Sequence, residues 1–142
     1  MGVDTFKRPT VFKGGARIPT TAVQTVTSTA VSTAAALTAI RANAEVALIT
    51  TSGSGAGYEV KLSTGRPIGT SVTVAVATDS TAPVTLLLES TTQSIFGSTF
   101  NALTFSTNSS GETATLTKVS ATQYIGSFDA AKVTPGGSTG TV

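Results

Sequence analysis

Between residues 58 and 117 the chain keeps returning to one pattern, in which apolar side chains occupy every second position for a few residues and a turn follows. Tyr58, Val60 and Leu62 alternate with Glu59 and Lys61. Val72, Val74 and Val76 alternate with Thr73, Ala75 and Ala77, and Val84, Leu86 and Leu88 come next. Ala114 and Leu116 alternate with Thr113, Thr115 and Thr117. A period of two places one set of side chains on one face of a pleated strand, which no helix can do.

The punctuation agrees with this reading. Ser52–Gly57, Arg66–Pro67–Ile68–Gly69, Asp79–Ser80 and Asn108–Gly111 carry the residues that set or tolerate turn dihedrals. Val46 and Leu48 mark a further strand, as do Phe100, Leu103 and Phe105, and a last one holds Tyr124, Ile125 and Phe128. Residues 20–40 are rich in Thr and Ser, which compete poorly in helix interiors, so extended structure with a strand near 31–38 is expected. Neighbouring runs read as hairpins, and no fixed-period repeat argues for a solenoid or a propeller. The expected fold is all-β: a small antiparallel β-sandwich or barrel with an extended N-terminal arm. Residues 1–19 form the arm, 20–130 the β domain, and 131–142 a flexible Gly/Ser/Thr tail.

Composition supports strands and narrows function. Ser and Thr make up about a third of the 142 residues, and only 11% are charged, against about 25% in ordinary soluble domains. Thr and Val are stiff at χ1 and pack well on pleated surfaces. The net charge is +2, and most of it is local. Lys7, Arg8, Lys13 and Arg17 stand against Asp4 alone, whereas the rest of the chain is nearly neutral. Such a balance does not point to direct nucleic-acid binding. No apolar run reaches the length of a membrane span, and no signal-peptide pattern opens the chain, so a soluble protein not secreted by the usual route is expected.

Groups able to do chemistry are few. With no His and no Cys, the usual triads, thiol dyads and zinc sites are unavailable. The seven carboxylates (Asp4, Glu45, Glu59, Asp79, Glu89, Glu112 and Asp129) are scattered and read as solvated edge or turn residues. Gly53–Gly57 lacks the Lys–Ser/Thr and the helix of a phosphate loop. Regular Thr rows would suit an ice-binding face, but the Thr spacing here is irregular. No cofactor and no catalytic residue is expected, and the chain reads as a non-enzyme.

Three segments carry a resemblance: AIRANAEVALITTSG (39–53), GTSVTVAVATDSTAPVTLLLES (69–90) and NSSGETATLTKVSATQYIGSF (108–128). They resemble small β-domains of tailed-bacteriophage virion proteins, namely capsid decoration (cement) proteins and related head-fibre domains. That family often has Trp where this chain has Gln123 or Tyr124. The resemblance implies a homotrimer on the outer surface of a phage capsid, with the major capsid protein as partner. In that setting the arm is the candidate capsid-binding element, with Lys7, Arg8, Lys13 and Arg17 meeting acidic shell surface. Phe6 and Phe12 would fill apolar pockets there. Two other readings are a receptor- or carbohydrate-binding head-fibre module, which needs an exposed aromatic platform, and a small capsid subunit.

Overall fold

The alternation is realised as eleven strands in a computed structural model that describes residues 23–29, 37–53 and 55–136. They are β1 (Val23–Thr29), β2 (Thr38–Ile40), β3 (Val46–Ser52), β4 (Tyr58–Leu62), β5 (Ser71–Val76) and β6 (Val84–Leu87). Next come β7 (Ser94–Ile95), β8 (Ala102–Phe105), β9 (Thr113–Lys118), β10 (Gln123–Phe128) and β11 (Val133–Pro135). The all-β expectation holds. The expected arm, residues 1–19, lies outside the described residues, as does most of the strand expected near 31–38. Strand structure continues past residue 130, because β11 pairs with β8.

The arrangement of the strands is not the expected antiparallel sandwich or barrel, and it is of the solenoid kind for which the sequence shows no fixed-period repeat. One sheet runs β1-β3-β5-β9-β10-β7 and the other β11-β8-β6-β4-β2. From β1 to β6 the chain alternates between the sheets, so β1, β3 and β5 are parallel neighbours in one sheet and β2, β4 and β6 in the other. This is solenoid-like stacking. Parallel neighbours need a long crossover between them, and here each crossover is itself a strand of the opposite sheet. The runs Val72–Val76 and Val84–Leu88, expected as a hairpin, therefore face each other across the core. Antiparallel pairing enters with β9 against β5 and β10, and with β8 against β6 and β11.

The winding is hard to see in the sequence because its coils are unequal. Val23 lies beside Val46, and Val46 beside Thr73, offsets of 23 and 27 residues. In the other sheet the offsets are 22 for Thr38 and Val60 and 26 for Tyr58 and Val84.

Side chains from both sheets form one core, with Ile49, Val74, Leu116 and Tyr124 from the first sheet and Val60, Leu86, Leu103 and Phe105 from the second. Ala47 and Ile49, and not Val46 and Leu48, are the buried pair of β3. Their neighbours in β5 are Val74 and Val76, and laterally paired residues share a face. Phe100 is exposed, with its ring against Gly136 (φ +114), where an added Cβ would lie 3.4 Å from the ring. The ring of Phe128 similarly lies over Gly126.

Candidate functional site

The arm residues Phe6, Lys7, Arg8, Phe12, Lys13 and Arg17 lie outside the described residues. Within the described part, polar chemistry concentrates at one end of the two sheets, where the chain passes from the second sheet back to the first.

Glu89, just beyond β6, is buried there and accepts four hydrogen-bonding groups. Tyr124 donates its hydroxyl to Oε2, and the Lys118 ammonium lies 2.9 Å from the same oxygen. Gly65 donates its backbone N–H to Oε1 at 2.9 Å. Gln93 approaches Oε2 at 3.5 Å, accepts from the Glu89 N–H and donates to the Ala121 carbonyl. A buried carboxylate is tolerable only when its lone pairs are filled in this way. Burial on its own raises the pKa of Glu89. The hydrogen bonds from Tyr124 and Lys118, the Lys118 charge and the Gly65 N–H outweigh it, and the net shift is downward. Burial and the neighbouring carboxylate push the Tyr124 hydroxyl far up, so it remains a donor at neutral pH.

Arg66 completes the cluster. It sits in the turn between Gly65 (φ +94) and Gly69 (φ +92), where the positive φ expected for Gly69 is present. Its guanidinium turns inward and donates to the carbonyls of Ala44 (2.9 Å) and Arg41 (3.0 Å). Burial lowers its pKa, while the nearby Tyr124 and Glu89 raise it. An open cleft of about 660 Å³ lies alongside, lined by Ala42–Glu45, Gly65–Pro67, Thr70 and Ser71. The cluster has no free nucleophile, because Lys118 and Tyr124 are both committed to Glu89. It acts as a clasp, tying the turns after β2 and β4, the segment after β6 and the β9–β10 hairpin to one another.

What the clasp holds in place is apolar and exposed. Lys118 precedes Val119, and Tyr124 precedes Ile125. The Tyr124 carbonyl accepts the N–H of Phe96 at 2.7 Å, so the β7–β10 register brings Phe96 out beside Ile125. Gly69 donates to the Lys118 carbonyl at 2.7 Å, and this bond brings the turn carrying Ile68 to the same corner. Ile68, Phe96, Val119 and Ile125 are between 38 and 64% exposed, and they are four of the six large exposed hydrophobic residues among the described ones. Exposed apolar side chains brought to one corner make it the candidate contact surface.

Sequence reasoning placed Glu89 among solvated residues and missed the clasp. One local signal for it existed: Ala114, Leu116 and Lys118 share the inward parity of β9, and a lysine on a core face requires a buried partner. Comparison with known protein families, with curated proteins and with solved structures finds no significant match.

The clasp has a pH signature. The folded-state pKa of Glu89 lies below its ordinary value of 4.5, so its stabilising contribution is full above that value. The contribution is lost as pH falls through the folded pKa. Glu89→Gln should therefore be less stable than the parent at pH 7, and the difference should shrink steadily below pH 4.5. Urea midpoints followed by circular dichroism between pH 7 and pH 2 would measure it. A gap that stays constant across that range would contradict the assignment.

Proposed function

We propose that this chain is a non-enzymatic virion structural protein, a capsid decoration protein that binds the outer surface of a tailed-phage head and stabilises it by bridging capsid subunits. The observation that carries this reading is the exposed apolar corner of Ile68, Phe96, Val119 and Ile125 seated on a buried clasp. It is a rigid surface suited to contact, and the ionisable groups behind it are committed to one another. The sequence resemblance supplies the setting, with the major capsid protein as partner and a homotrimer as the assembled form. The basic arm, through Phe6, Lys7, Arg8, Phe12, Lys13 and Arg17, is the proposed anchor. A segment of this kind gives up its ordering entropy on binding, so many copies acting together matter more than any single contact.

Cosedimentation with undecorated heads, using the full chain and a version lacking residues 1–19, tests the proposal. Full-length chain in the head pellet, with the truncated chain left in the supernatant, is the expected outcome. Failure of the full chain to bind any head preparation would remove the decoration reading. One observation favours a second reading, a carbohydrate-binding head-fibre module: Phe96 and Phe100 are both exposed on the β7–β8 connection. Under that reading the full chain would bind glycans in a screen, and substituting either phenylalanine would weaken binding.

A further inference from the structure

The six strands of the first sheet contain a single charged residue, Lys118, and it is committed to buried Glu89. The outward face of that sheet is therefore free of charge from β1 to β7. Its lateral rows run Val23, Val46, Thr73, Thr115, Ser127, then Thr25, Leu48, Ala75, Thr113, then Ser71, Thr117, Ile125. The apolar corner extends the last of these rows.

We infer that this face is the surface through which copies of the chain pack against one another. The inference deepens the proposed function and rests on its reading of the chain as an oligomeric building block. Three observations favour a second copy as the occupant. An uncharged face can meet its own copy without like charges being opposed, and depletion of charge is what marks the core of a protein interface. Six of the hydroxyls are already paired within the sheet, Thr27 with Thr50 at 2.9 Å, Thr73 with Thr115 at 2.9 Å and Ser71 with Thr117 at 2.7 Å. Removing water from this face therefore leaves fewer hydrogen-bonding groups unsatisfied than its Ser and Thr content alone would imply. The extent is also sufficient. Five strands of six or seven residues, each about 20 Å long, and the two-residue β7, spaced about 4.8 Å apart, give roughly 500 Å² in projection. Side-chain relief brings this toward the roughly 800 Å² per partner of a standard interface.

The test is the mass in solution, by light scattering at about 100 µM, of the full chain and of Thr115→Lys and Ile125→Lys. Thr134→Lys, on the second sheet, is the control. The full chain and the control should run at two or three times the 14.1 kDa of one copy. The two face variants should dissociate at least tenfold more readily, because each opposes like charges across the contact. Thr115→Cys, folded first and then labelled with a negatively charged thiol reagent, gives the same readout without burdening folding, since the chain has no other cysteine. A monomeric full chain, or face variants and labelled protein that keep the parental mass, would overturn the inference. Cosedimentation of the same variants with heads separates the two proposals. Head binding lost with the mass unchanged assigns the face to the shell and overturns the copy–copy contact. A parental oligomer that dissociates on lysine substitution but ignores heads supports the contact and removes the decoration reading.

Discussion

Glu89→Ala is expected to destabilise the fold by about 3–5 kcal/mol, the usual consequence of removing one partner from a buried ion pair. The loss is large because the carboxylate serves several donors. Without it, the Lys118 ammonium is left in a site where its side chain is only 11% exposed, and the Tyr124 hydroxyl and the Gly65 N–H lose their acceptor. Replacing both ions, as in Glu89→Leu with Lys118→Met, should recover the part of the loss due to the uncompensated buried ammonium. It should not recover the part due to Tyr124 and Gly65, which still lack an acceptor. Urea unfolding read by far-ultraviolet circular dichroism gives the number, and a single-mutant loss below about 1 kcal/mol would mean that water reaches the site. Hydrogen exchange gives the functional counterpart. Amides of residues 118–125 should lose protection in Glu89→Ala, because that hairpin presents Val119 and Ile125 and the clasp holds it against the turn at Gly65.

The contrast between what the sequence revealed and what it concealed has a physical basis. Burial of Tyr58, Val60 and Leu62, of Val72, Val74 and Val76, and of Ala114 and Leu116 was readable because polar residues, threonines or the small Ala75 separate them. In Val46–Ile49 every residue is apolar, so parity alone does not choose a face. The choice is made by the β3–β5 register, a contact between segments about 27 residues apart. Turn residues have the same limit. Gly, Pro and Asp at a chain reversal say that a strand ends, but not whether the next one returns beside it or crosses to the opposite sheet. Asp79–Ser80 was read as the tip of a hairpin. It instead begins a crossover in which Asp79 accepts the N–H of Ser110 at 3.0 Å, from a loop about 30 residues away. The clasp was hidden for the same reason, since Glu89 is satisfied by groups from Gly65, Lys118 and Tyr124. The apolar corner was partly legible, in that Phe96 and Ile68 stand outside every alternating run.

Phe105→Ala is expected to cost about 3–5 kcal/mol as well, and the shape of its unfolding curve carries as much information as its midpoint. Phe105 is fully buried and lies laterally between Val84 of β6 and Val133 of β11. Its position joins the parallel ladder of β2, β4 and β6 to the antiparallel strands that follow. Extended solenoids are quasi-one-dimensional, and damage at one repeat need not reach the others. This chain has few coils, and one core is shared by both sheets, with Tyr124 and Leu116 on one side and Phe105 and Leu86 on the other. The cavity left by the missing ring should therefore weaken the whole structure at once. A single transition is expected, with the midpoint lowered and the denaturant slope unchanged. Two transitions, with β8 and β11 melting before β1 to β6, would show instead that the parallel coils are stable without the antiparallel strands. In that case the six-stranded face would be divided between two independently melting parts, and charge placed on Thr25 of β1 should then leave unfolding of the β9–β10 hairpin unaffected.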